Sequence, residues 1–210
     1  MKTKSDAWTI VIVGLWNTYI FSPDWVSKTL LNQNDVALEF LIISGKPQVR
    51  FSTNRLIFAA AEDKIVIAAK DTTDETLKEM ERVAKHVVEE LPHTPISGIG
   101  VNMGYVVDDL QNDLGRLFPM GDVGGLSDAG CEIEQTEVKR ALTINGGQLN
   151  LRIVYGDITP EIHFNFHREI AATSTVAEKT IALTDKVLEY RDVTLSVLKQ
   201  AYKLELDAGE

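Results

Sequence analysis

The segment EIHFNFHRE, residues 161–169, holds the densest set of side chains able to do chemistry. An extended strand sends alternate side chains to opposite faces. Glu161, His163, Asn165, His167 and Glu169 therefore share one face, and Ile162, Phe164, Phe166 and Ile170 share the other. Imidazoles can exchange protons or hold a metal. Two of them four positions apart on a regular strand, however, stand about 13 Å apart. That is too far for both to hold one ion, and a zinc site needs at least three protein groups. The polar face thus reads as the wet side of an antiparallel sheet, or as a groove for an organic ligand or partner. No metal or other cofactor is assigned to it. Arg152 and Asn150 on the preceding strand join this surface if the register brings them there.

Two other patches stand out. GLWNTYIFSPDW, residues 14–25, crowds Trp16, Tyr19 and Trp25 beside Asn17, a set that could sandwich a flat ligand. Local structure accounts for most of it. Ser22 is a good N-cap, Pro23 suits the first helical position, Asp24 meets the positive helix end, and Phe21 with Val26 forms a hydrophobic staple. This aromatic corner reads as a strand-to-helix joint. From Val107 to Glu137, eight carboxylates face the single Arg116, giving −7 of the chain's −10 charge. An EF-hand register from Asp109 fails, with Leu114 where glycine is required and Met120 where the bidentate glutamate belongs.

The chain has no G-x-x-x-x-G-K-[ST] loop, no G-x-S-x-G elbow, no H-E-x-x-H and no C-x-x-C. Its one cysteine, Cys131, sits in a glycine-rich stretch and cannot form an internal disulfide. With 21 basic against 31 acidic residues and no basic patch, nucleic acid and anionic membrane are poor partners. No apolar run approaches the roughly 20 residues of a membrane span, and the amino-terminal run is too short and lacks a cleavage site for a secretory signal. The expected location is the cytoplasm.

The elements that must position these residues follow from periodicity. WTIVIVGLW is apolar on both alternating sets, which predicts a strand inside its sheet and buried on both faces. VALEFLIIS, QVRFST, RLIFAAA and KIVIAAK predict further strands, with a turn at GKP and Pro47 marking the limit of pairing. A capping box at Thr72 and Glu75 opens a helix carrying Leu77, Met80, Val83, Ala84, Val87, Val88 and Leu91, which stops at LPHTP. ISGIGVNMGYVV is a glycine-rich strand, followed by a short helix over DDLQNDLGRLF. FPMGDVGGLSDAGC, residues 118–131, predicts a loop or hinge. EVKRALTI and QLNLRIVY form a hairpin across NGG. A second capping box, Thr175 with Glu178, opens a helix of about 25 to 30 residues, roughly 40 Å long at 1.5 Å per residue, which breaks near EYRDV, packs in part on another chain, or lies across a wide sheet. Along it Ile181, Leu188, Leu195 and Tyr202 recur every seven positions.

The fold class is α+β: a mainly antiparallel sheet covered by helices, with a long carboxy-terminal helix. Residues 36–91 and 138–204 both run strands-then-helix, suggesting two related halves. The division is an amino-terminal half over 1–117, the hinge at 118–131, and a carboxy-terminal half over 132–210, packed as one unit. With no catalytic constellation in view, the leading function is protein interaction or self-association through the carboxy-terminal helix face. The rivals are a small-ligand or metal-binding enzyme using the polar face of 161–169, and an acidic mimic of nucleic acid.

Overall fold

The structure, a computed structural model, describes residues 1–43, 46–107, 118, 121–144, 147–156 and 159–207, without the side chains at 43 and 46–48. Ten strands make one wholly antiparallel sheet. They are β1 (Lys2–Thr3), β2 (Thr9–Gly14), β3 (Ala37–Ile43), β4 (Lys46–Ser52), β5 (Leu56–Ala60), β6 (Lys64–Ala69), β7 (Ile96–Val106), β8 (Gln135–Ile144), β9 (Gly147–Gly156) and β10 (Glu161–Glu169). The order across the sheet is β3-β4-β5-β6-β2-β7-β10-β9-β8, and β1 pairs with β7 beyond the end of β2. The helices are α1 (Pro23–Trp25), running on as a π-helical Val26–Leu31, then α2 (Asp74–Glu90), α3 (Val123–Asp128), α4 (Val176–Ile181) and α5 (Lys186–Tyr202).

The strand order repeats itself about the central pair. After β2 the chain passes through α1 to the outer edge and returns by β3, β4, β5 and β6 to pair with β2. After β7 it passes α3 to the opposite edge and returns by β8, β9 and β10 to pair with β7. Each return is followed by helix. The shared connectivity thus includes a central strand in front of each strands-then-helix run.

Alternation puts one set of side chains under the helices. Ile10 and Ile12 of β2, Ile65 and Ile67 of β6, Val101, Met103 and Tyr105 of β7, and Ile162, Phe164 and Phe166 of β10 are buried there, against Leu77, Met80, Val83, Ala84, Val87 and Val88 of α2. Burial of apolar surface on this scale is the dominant favourable term in folding. Among the described residues no long α-helix packs on the opposite face, which carries the single 3-10 turn Ser5–Ala7. β2 is central as its sequence predicts, but Val11 is half-buried and Val13 exposed, so only one of its faces is covered. A one-sided layer explains the correction: a two-layer fold leaves half the sheet for something other than its own helices.

Several local expectations change. The N-cap of α2 is Thr73, one residue later than expected, because Thr73 Oγ1 accepts the Thr76 amide and Asp71 in turn fixes Thr73. Pro47 lies inside β4, opposite Ile42, where β4 has lost β5 as a neighbour and a missing donor costs no ladder bond. The stretch 118–131 contains the short helix α3. The helix expected at 108–118 lies outside the described residues apart from Phe118. The capping box at Thr175 and Glu178 forms as expected, and so does the β8–β9 hairpin. The carboxy-terminal helix, though, breaks over residues 182–185, with Asp185 left-handed at φ 57°.

That break is closed from outside. Glu81, on α2 and only 8% exposed, accepts the Asp185 amide through Oε1 at 2.8 Å and the Val187 amide through Oε2 at 3.2 Å. Its charge sits at the positive end of α5 and satisfies two donors that the helix leaves orphaned. Deeper in the core, Tyr105 OH lies 2.6 Å from Thr194 Oγ1 of α5, with Trp8 and Phe164 edge-on to its ring.

Burial, only partly offset by the Thr194 hydrogen bond, pushes the Tyr105 phenol up to about 12 from its ordinary 10.0. A folded-state value above the unfolded one means stability fully present below pH 10 and lost as the pH rises through about 12. Alkaline titration followed by tyrosinate absorbance and circular dichroism will show wild type losing structure in that window. Tyr105→Phe, one phenol fewer, will show a shallower loss; identical curves would place the alkaline transition elsewhere.

Candidate functional site on the open sheet face

On this open face Asn165 stands in register with Asn102 of β7 on one side and Asn150 of β9 on the other, and Asn102 in turn faces Thr9 of β2. Their side chains join into one hydrogen-bonded row across four strands. Asn150 Nδ2 donates to Asn165 Oδ1 at 3.0 Å, Asn165 Nδ2 to Asn102 Oδ1 at 2.7 Å, and Asn102 Nδ2 to Thr9 Oγ1 at 2.8 Å. Gln148 Nε2 feeds the row at Asn150 Oδ1, 2.8 Å away. Each carboxamide has two N–H groups and two lone pairs, so a single in-row bond on each side leaves one donor and one acceptor site for a ligand.

The row is the floor of a groove of about 700 Å³. One wall is the turn Ser5–Ala7 and the other is β8 at Lys139 and Ala141. Glycines of β7 make the floor possible. A Cβ on Gly104 would come within 2.4 Å of the Ala7 Cβ, and one on Gly100 within 3.3 Å of Asn165 Nδ2. A side chain at 104 would therefore push the turn off the sheet and distort the wall.

Two carboxylates gather most of the cations around the row. Glu137 holds Lys139 at 2.8 Å and also binds Arg152 Nε. Bonds from Lys139 and then Arg152 keep the Glu137 carboxyl below its ordinary range. Glu161 accepts from Lys4 Nζ at 2.5 Å and meets His163 Nε2 at 2.8 Å. Partial burial pulls its carboxyl up, but the Lys4 and His163 bonds outweigh burial and hold it below its ordinary value. Lys4, Lys139 and Arg152 thus stand against Glu137 and Glu161, Asp6 lines the wall, and uncharged amides occupy the middle.

The expected residues divide as follows. Arg152, His163 and Asn165 line this groove, with Glu161 fixing His163 from beside it. His167 and Glu169 line a separate hollow of about 500 Å³ with Val13, Ser97 and Gly98, where the His167 ring lies against Gly98. Among the described residues no three His, Cys, Asp or Glu side chains come together as a metal site. The aromatic corner does not form a platform: Trp16 is buried and donates Nε1 to the Ile12 carbonyl, Trp25 packs edge-on to Phe21, and Tyr19 is 94% exposed. Leu188, Leu195 and Tyr202 pack against the chain's own core, while Ile181 is exposed. Cys131 is exposed.

Thr9, Asn102, Asp6, Ala7 and Lys139 belong to the site and are not marked by any motif. The one signal pointing to them is the glycine content of β7, since glycine inside a strand marks a close approach. No family model matches the chain, and no curated protein matches it as a relative.

Proposed function

We propose that the protein is a non-enzymatic binding protein whose groove takes a small uncharged molecule rich in hydroxyl or amide groups. The observation that carries this reading is the amide row on a floor cleared by glycine. The row offers alternating donors and acceptors, whereas Glu137 already holds Lys139 and Arg152, and Glu161 already holds Lys4 and His163. The groove's volume lies within the range of small-molecule sites, about 300–1,000 Å³. A charged ligand would have to displace Glu137 or Glu161 from its partners, and an uncharged one does not.

The test is a titration of the side-chain amide resonances of Asn102, Asn150 and Asn165 with N-acetylglucosamine, trehalose and asparagine amides blocked at both ends. At least one probe is expected to shift all three, and Asn165→Leu to remove the response. Silence with every uncharged probe, or equal binding by the variant, removes the reading. Self-association has support at a different place, the free edge at β3.

A further inference from the structure

β3 is an outer strand of the sheet, and among the described residues it pairs with β4 alone. Its seven residues, ALEFLII, contain one charge, no lysine and no proline. Phe40 is 76% and Ile42 81% exposed, although both share a face with Leu38, which packs on the core. The helix layer thus stops short of the outer half of this strand. The opposite edge is unlike it: β8 carries Glu137, Lys139 and Arg140 among its ten residues, the kind of charged edge that resists pairing with another chain.

We propose that β3 is a dimerisation edge, pairing antiparallel with β3 of a second copy about a two-fold axis at Leu41, so that two sheets become one. A strand paired with itself around a two-fold is necessarily antiparallel, and the same patch serves both copies. In this register Phe40 lies opposite Ile42 of the second copy, and Ile42 opposite its Phe40, an aromatic–β-branched pair on each side of the axis. The one charge on the strand excludes a register centred on Glu39. With the axis at Leu41, Glu39 does not meet another Glu39, and it already has Arg50 directly opposite within its own chain. Covering both strand edges with Phe40 and Ile42 removes on the order of 1,000 Å² of surface, about the least a specific interface needs. The association is therefore weak to moderate. Each copy carries −10, so the dimer opposes a long-range repulsion that salt screens; it tightens as salt rises.

Sedimentation velocity over a wide concentration range tests this, at low and high salt. Wild type will show a monomer–dimer equilibrium strengthened by salt. Phe40→Asp and Ile42→Lys, both at exposed positions, will fold normally by circular dichroism and raise the dissociation constant more than about tenfold. Leu41→Cys in a Cys131→Ser background will cross-link on mild oxidation, and Thr143→Cys on β8 will not. A monomer at every concentration, a dimer indifferent to both edge substitutions, or cross-linking through position 143 instead of 41 would each overturn the proposal.

Discussion

Glu81→Ala lowers the stability of the folded chain by about 3 kcal/mol, because the buried Val187 amide is left an orphan and the exposed Asp185 amide loses a charged acceptor. The Asp185 and Val187 N–H groups have no other acceptor offered by their own helix, since the first turn of any α-helix leaves its donors unpaired. The local N-cap does not help. Asp185 is left-handed and its side chain makes no capping bond. The carboxylate comes instead from α2, across the interface between the two helices, so the same bonds fix how α5 lies over the sheet. For a chain of this size the loss corresponds to about 3 °C in melting temperature per kcal/mol. Glu81→Gln keeps an acceptor but removes the charge from the helix end, and will recover roughly half the loss. Urea denaturation of the three proteins checks this; equal stability of wild type and Glu81→Ala would show that water satisfies the two amides.

The second large effect is on binding. Asn165→Leu removes the central member of the amide row, and both neighbours lose a partner at once: the Asn150 donor and the Asn102 acceptor. Apparent affinity for a responding uncharged probe is expected to fall about 100-fold, equivalent to two or three lost hydrogen bonds of about 1 kcal/mol each. Stability will change far less, because the row is only partly buried and freed groups find water. His167→Ala, in the separate hollow, will leave that affinity unchanged. Calorimetric titration of the three proteins separates the outcomes. If Asn165→Leu and His167→Ala weaken binding alike, the two hollows act as one surface and the row is not the recognition element.

What was legible in the sequence was whatever repeats at short range. The alternation in EIHFNFHRE placed Ile162, Phe164 and Phe166 under the helices and His163 and Asn165 on the other face, because period two is a property of the strand itself. The antiparallel sheet, the β8–β9 hairpin and the Thr175 cap were legible for the same reason. The site was only half legible. Asn165 and Arg152 could be suspected, but that Asn165 meets Asn102 depends on the register of β10 against β7, strands joined by a long excursion to the sheet edge. Thr72 and Thr73 are chemically equal as caps, and the choice between them was made by Asp71. The break in the carboxy-terminal helix falls at 182–185 rather than near EYRDV, with neither proline nor glycine to mark it, and the carboxylate that closes it, Glu81, lies more than a hundred positions away. The seven-residue stripe was real as a pattern, yet Leu188, Leu195 and Tyr202 spend it on the chain's own core.

The central seam has a consequence for how the chain reaches this state. Within each outer ribbon, partners are near in sequence, as with Ala60 and Ile65 across β5 and β6. At the β2–β7 seam, Thr9 and Asn102 are 93 positions apart. Closing a loop of that length costs more chain entropy than closing a hairpin, so long-range pairings form late. The two ribbons gather first and the seam zips afterwards. Ile12→Val at the seam will mainly speed unfolding, whereas Phe58→Leu in a ribbon will mainly slow folding; stopped-flow kinetics showing the reverse would make the seam the nucleus.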